Sequence, residues 1–430
     1  MPSGHFSPIP TLYCWIERID PSSPHGHLPL TSFLPTSELC AWIRDEAMVG
    51  WGQAWRWQRG KDRPPLVEAG ENAAITEAAR VWDLVREKAL IHWAEGTRDA
   101  WGPDLPALPI AFASCAFEDD GERVLVVPTF LIITRGSTRF LVTSSIDSRD
   151  KPVFDAEIID HQLPAAETLS IGPGAMSEKA WCGAVDEIID ALRNEEAGKV
   201  VMARDMTIIS DSPFDQAALI EHLHQRYPQT WTFAVAGLIG ATPEMLVSLH
   251  QGKLHSRVLA GSSKPEDAGS LPLSLKDRSE HLFAVESVVA ALLSVAQDVQ
   301  APARPDVLIL PNIAHLSSDV YATFPQGSVL DAVAQLHPTA AVCGTPTDDA
   351  LDLIHAYERT ERERYSGPVG WIDGAGNGEF GIALRCGQLE NNDRTLRIFA
   401  GCGIMPDSLS RSELEETQTK MRPLLEVLNL

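Results

Sequence analysis

The chain has 430 residues, 44% of them hydrophobic and 22% charged, an ordinary globular composition with material for a large core. Its 35 basic and 59 acidic residues leave a formal charge of −24, a field that repels nucleic acid and anionic membranes and argues against either as a partner. The same field repels anionic metabolites, so a site for one must bring its own Lys, Arg or bound cation.

From the start, Met1 to Asp20 is broken by Pro2, Pro8, Pro10 and charged residues, and no secretory leader is expected. No apolar run approaches the ~20 residues that span a bilayer. Val49-Gly50-Trp51-Gly52 reads as a turn. Ile75 to Trp93 has the spacing of an amphipathic helix. Val124 to Thr134 and Thr138 to Ser145 read as strands joined at Arg135-Gly136. Lys199 to Ile209 is β-branched and strand-like. Glu244 to His250 and Lys253 to Ala260 predict a hairpin about Gln251-Gly252. Asp277 to Gln300 predicts one long helix, with Leu282, Val285, Val289, Leu292 and Leu293 at helical spacing. Strands over Pro368 to Asp373 and Glu379 to Leu389 flank the turn Gly374 to Gly378. Leu396 to Gly401 is a further strand, and Ser412 to Leu428 a closing helix. Hairpins with a few long helices and no βαβ rhythm point to an α+β fold with antiparallel sheet. Seven scattered cysteines without a CxxC pair argue against a disulfide framework or a zinc site, and a cytoplasmic location fits.

The last helix carries Glu413, Glu416 and Lys420 at i, i+3 and i+7, on one face. Alone, that pattern describes a solvated face with an i,i+4 ion pair. Just upstream, Phe399-Ala400-Gly401-Cys402-Gly403-Ile404 is small and apolar, which lets a ligand approach the backbone. Carboxylates and a lysine beside such a backbone suit a hard cation with an anionic ligand. Glu280, in KDRSEH (Lys276 to His281), lies near a helix start, where a carboxylate also serves the dipole. Other candidate segments are GATPE (Gly240 to Glu244), KVVMAR (Lys199 to Arg204), Ala260-Gly261-Ser262 and His337-Pro338-Thr339-Ala340-Ala341. His337 is as well suited to a structural hydrogen bond as to a site. Arg385, inside an apolar strand, wants an anion or a carboxylate. The run Gly374-Ala375-Gly376-Asn377-Gly378 opens no helix, so a dinucleotide reading is rejected.

Taken in order, KVVMAR, GATPE, LAGS, KDRSEH, HPTAA, the GWID to EFGIALR hairpin, FAGCGI and E-x-x-E-x-x-x-K resemble the chorismate-utilizing enzymes. The resemblance implies antiparallel β-sheets packed together with helices on the outside. It implies one chorismate-binding domain over residues 1–430, with motifs in 198–420 and a weaker match in 1–190. Ammonia-using members carry glutamine where Lys199 stands, and lysine resembles the water-using branch. Aminodeoxychorismate synthases place a lysine nucleophile where Ala260 stands, so a covalent amine intermediate is not expected. The stretch Arg364 to Cys386 is similar to isochorismate synthases, which are isomerases that add water to chorismate at C2 and expel the C4 hydroxyl. Salicylate synthase, which goes on to eliminate pyruvate, is the alternative, and Tyr365 (with Val342 in the same pocket) resembles a tyrosine position of that group.

The resemblance also implies roles. Lys199 is expected to take a proton from water and Glu244 to give one to the departing hydroxyl. The lysine must be neutral for this, and the carboxyl must hold its proton, which burial favours. Glu280 and Glu416 are expected to hold Mg2+, with Glu413 close by. Gly261, Ser262, His337, Ala341, Tyr365, Arg385, Gly401, Cys402 and Lys420 are expected to contact chorismate. Ser279 stands where relatives often have histidine. Cys402 stands where alanine is usual, and its side chain is expected to crowd the pocket. No glutaminase subunit is expected, and the protein is read as a monomer or weak homodimer.

Overall fold

A computed structural model describes residues 9–60 and 73–430. The proline-broken start, with Pro2 and Pro8, lies outside the described residues. Strands dominate, and among the described residues they form one sheet of 13 strands and one of 10. Every pairing is antiparallel except that of Leu12–Arg18 with Leu90–Trp93. One buried cluster takes side chains from both sheets, among them Cys14, Trp42, Phe233 and Met202 from the larger and Phe112, Val247, Val258 and Phe380 from the smaller. The sheets therefore share a core. A second cluster backs the larger sheet with the helices Gln216–Arg226 and Ser410–Val427, through Leu219, Leu223, Met421 and Leu424. This is an α+β fold with antiparallel sheets and peripheral helices.

Local chemistry explains the helices. Glu178–Arg193 buries Trp181, Val185, Ile188, Ile189 and Leu192, a single stripe at helical spacing. Ser274 caps Leu275–Leu293 by accepting from Asp277 N at 3.2 Å. Ser410–Val427 turns Glu413 and Thr417 inward along with Met421 and Leu424, so this face is not a solvated one.

Several elements end sooner than their periodicity suggests. The helix over Ile75 to Trp93 stops at Arg86, where Lys88 N and Ala89 N tighten onto Val85 O and Arg86 O. Leu90–Trp93 then pairs as a strand. The long helix stops at Leu293, and Gln297–Gln300 becomes a strand beside Ala314–Thr323. Pro128, with no N–H to give, divides Val124 to Thr134 into Arg123–Val127 in the smaller sheet and Phe130–Arg135 in the larger. Glu379 to Leu389 likewise splits into Gly378–Ile382 and Cys386–Glu390, again in different sheets. Val49 to Trp51 lies in the strand Ala47–Trp51, and only Gly52, at φ +66°, turns the chain.

The glycine run Gly374 to Gly378 turns the chain between Pro368–Ile372 and Gly378–Ile382. Asp373 organises it. Its buried carboxylate accepts from Ala375 N (2.8 Å), Asn377 N (2.8 Å) and, outside the turn, Ala107 N (2.9 Å). Asp373→Ala leaves those N–H groups bare and is expected to lower stability by about 1–3 kcal/mol, read from urea denaturation. A loss below about 0.5 kcal/mol would show that water replaces the carboxylate.

Candidate active site

Two crossovers between the sheets lie side by side. The chain leaves the larger sheet at Leu238–Thr242, passes Pro243-Glu244, and joins the smaller at Met245–His250. It returns from Gly378–Ile382 through Ala383-Leu384-Arg385 to Cys386–Glu390. The two are laced together: Ile382 N donates to Glu244 O (3.2 Å), Ala241 N to Arg385 O (3.2 Å) and Thr242 Oγ1 to Ile382 O (2.6 Å). Arg385 holds φ at +48°, a left-handed conformation that a non-glycine residue keeps only where its surroundings enforce it. An acid and a cation are thereby fixed at the seam of the fold.

Glu244 is buried, and burial pushes its carboxyl up to about 8, against the pull of Lys199, a Leu259 backbone hydrogen bond, Arg385 and Lys420. Arg385 Nη2 donates to His315 Nε2 at 2.9 Å. Arginine only donates, so Nε2 is bare and the proton of this imidazole sits on Nδ1. Nδ1 faces Ser262 Oγ at 3.1 Å and Gly261 O at 3.3 Å. Burial, then Arg385 and Lys420, hold His315 well below the usual histidine range, so it is neutral. Tyr365 stacks on Phe399 with centroids 5.1 Å apart, and burial raises its hydroxyl.

Three lysines meet the three carboxylates. Lys199, 0% exposed at the head of Lys199–Ser210, has Nζ 3.2 Å from Glu280 Oε1. Lys276 Nζ donates to Glu413 Oε1 at 2.9 Å, and Ser408 Oγ donates to the same oxygen at 2.7 Å. Lys420 Nζ lies 2.6 Å from Glu416 Oε1 and donates to Gly401 O at 2.9 Å. Burial, reinforced by Glu416, raises the Glu413 carboxyl. Burial also presses on Glu416, but Lys420, Lys276 and Arg385 outweigh it and hold that carboxyl below the usual range. Burial raises the Cys402 thiol first, and Glu413, Glu416 and Glu280 all add to that, so the three carboxylates share one neighbourhood. Oxygen donors of this kind suit Mg2+. As placed, each is engaged by a lysine, and among the described residues no three acidic, histidine or cysteine side chains are disposed to hold a metal ion.

A cavity of about 50 Å³ brings together Glu244, Gly261, Ser262, Glu280, Ala341, Tyr365, Arg385, Gly401, Cys402 and Lys420. Lys199 adjoins it through Glu280 and Gly403. A Cβ on Gly403 would lie 2.4 Å from Glu280 Oε1 and 2.8 Å from Lys199 Cε, so only glycine lets that pair close over the strand. Gly401 and Gly403 share this face, because a Cβ on Gly401 would meet Tyr365 Oη at 3.1 Å. Cys402, between them, is buried, pairs with Met202 across the two strands and is among the residues lining the cavity. His337 stands outside: its Nε2 donates to Phe117 O at 3.0 Å and its ring packs edge-on against Phe117. Two hollows of about 870 Å³ lie elsewhere on the protein and hold none of these groups. Sequence reasoning passed over His315, whose position opening Ala314–Thr323 carries no spacing signal, and gave Lys276 no role although it stands in KDRSEH.

The sequence profile of the family described as chorismate binding enzyme matches residues 71–429. The isochorismate synthase DhbC of Bacillus subtilis is 34% identical over 330 residues, covering 72% of this chain and 82% of that protein. The isochorismate synthase MenF of Bacillus subtilis is 33% identical over 261 residues, covering 58% of this chain and 55% of that protein. In fold, the menaquinone-specific isochorismate synthase MenF of Escherichia coli superposes with a TM-score of 0.75 across 98% of this chain and 96% of its own, at 20% identity. The chain belongs to the chorismate binding enzyme family.

Proposed function

We propose that the protein is an isochorismate synthase, an isomerase that converts chorismate to isochorismate with Mg2+. One observation carries this reading. A buried carboxyl that keeps its proton up to about pH 8, Glu244, shares a site with a wholly buried lysine, Lys199. An acid and a base of this kind suit addition of water at one ring carbon and loss of hydroxyl from another. The 34% identity to DhbC over most of both chains supports the same reaction.

In this reading Lys199 takes a proton as the water oxygen bonds to C2. The ring double bonds shift, the C4–O bond breaks, and Glu244 protonates the departing hydroxyl. Water consumed equals water released, so the net change is isomerisation. Arg385 and Lys420 provide the positive charge that a −24 protein must place beside an anionic substrate. Glu280 and Glu416 would hold Mg2+, with Glu413 behind them. The metal supplies charge for the substrate carboxylate. Because water is the nucleophile, no glutaminase subunit is needed, and the cysteines suit a reducing cytoplasm. Tyr365 on the cavity wall supports one second reading, a salicylate synthase.

Product analysis by NMR tests both. Isochorismate in equilibrium with chorismate, without pyruvate, is expected. Stoichiometric salicylate and pyruvate would move the assignment to salicylate synthase, and unchanged chorismate would end both readings. The acid form of Glu244 is the active one, so kcat/KM is expected to fall as pH rises through about 8. Glu244→Gln keeps the shape without the proton and is expected to lower kcat by about 10²–10⁴-fold, with the alkaline limb gone. A level profile through that pH removes Glu244 as the acid. Lys199→Gln is expected to lose about 10²–10⁴-fold in kcat with water, and a variant of near wild-type rate excludes Lys199 as the base. EDTA is expected to abolish turnover and Mg2+ to restore it; full turnover in EDTA would take the metal out of the reaction.

A further inference from the structure

The strand Lys199–Ser210 pairs along one edge with Thr395–Ile404. Among the described residues its other edge pairs only at the ends: Lys199 and Val200 with Thr345 and Gly344, and Thr207 to Ser210 with Leu169–Gly172. Between them, Val201 and Ala203 turn their backbone groups outward, and among the described residues no strand pairs there. Val201 N donates to Cys343 O at 2.8 Å. Side chains take the other three groups. Arg362 Nη2 donates to Val201 O (2.7 Å), Ala203 N donates to Glu358 Oε2 (2.7 Å), and Trp181 Nε1 donates to Ala203 O (3.0 Å).

Glu358 and Arg362 are also bound to each other. Arg362 Nε donates to Glu358 Oε1 at 2.7 Å and Nη2 to Oε2 at 2.8 Å, and each side chain is 2% exposed. The pair offers successive outward groups a donor and an acceptor, as an adjacent strand does. Arg362 then reaches further. Its Nη1 donates to Val342 O at 2.8 Å, with the guanidinium 4.2 Å over the Phe117 ring. Val201 and Val342 both line the cavity, whereas Glu358 and Arg362 do not.

Closing a sheet edge does not require charge, and burying an ion pair costs desolvation that apolar side chains of equal bulk avoid. What the pair adds is geometry, because the guanidinium is a planar fork with fixed donor spacing. We propose that the Glu358–Arg362 pair is a positioning device for the active site: it holds Val201, two residues from Lys199, and Val342 at a set separation. This rests on the chorismate-converting reading of the site. Neither side chain touches reacting atoms.

The wild type is assayed beside Arg362→Lys, which keeps the charge without the fork, and the double variant Glu358→Leu/Arg362→Met, which replaces the pair with apolar bulk. The double variant leaves Val201 O, Ala203 N and Val342 O without these partners and is expected to fold with a melting temperature several degrees below wild type. Its kcat on chorismate is expected to fall about 10²-fold, and that of Arg362→Lys about 10-fold, with KM within about twofold, because small misplacements act on the chemical step. A crystal structure of the double variant is expected to show Val201 displaced relative to Val342 by about 1 Å. Folded variants with wild-type kcat, or an unchanged Val201–Val342 geometry, overturn the proposal. Failure of both variants to fold overturns it too, because the pair then serves folding. Wild-type protein that leaves chorismate unchanged counts against the functional reading instead, and the variant structure still decides the positioning role.

Discussion

Much of this molecule follows from one constraint: the chain must pass from one sheet to the other twice at the same place. Pro243 ends one strand and the left-handed Arg385 restarts another, and three hydrogen bonds lace the two passages together. At such a seam neither sheet completes its ladder, so polar side chains can turn inward without displacing a strand. Glu244 and Arg385 occupy those two positions. The shared core of the two sheets on one side, and the helices Leu275–Leu293 and Ser410–Val427 on the other, then enclose them.

Charge follows geometry here. A strongly acidic chain sets three lysines against three carboxylates across one strand and two helices, and each pair bridges separate parts of the chain or fixes a helix to a strand. Lys199 joins a strand to one helix through Glu280, Lys276 joins that helix to the last one through Glu413, and Lys420 joins the last helix to Gly401. In water such pairs contribute little. Enclosed, they cannot be broken singly without leaving a bare charge, which makes the arrangement of the site cooperative.

What the sequence made legible was what order and periodicity encode. Lys199 to Ile209, the hairpin at Gln251-Gly252 and the closing helix stand close to where spacing placed them. The three-residue and four-residue steps of Glu413, Glu416 and Lys420 correctly put them on one face. That face turned out to be internal, which spacing alone does not say. Breaks were the hardest to read. The apolar run from Glu379 to Leu389 looks continuous, yet it changes sheets at Arg385, because strand propensity does not report which partner a strand takes. Glu358 and Arg362 gave no signal at all: an i,i+4 pair of opposite charge normally marks a surface, and here it fills a gap in a sheet edge.

The contact between Arg385 and His315 reaches further than the two residues. With its Nε2 accepting from the guanidinium, the imidazole turns its single N–H toward Ser262 Oγ and Gly261 O. An oxygen that accepts on one side has its own hydrogen left to give. The serine is thus primed as a donor, and the ring hands on the polarity of a buried cation without adding a second charge. The wall of the cavity at Ser262 thereby gains electropositive character from a side chain with no formal charge, a relay set by a tautomer rather than by titration.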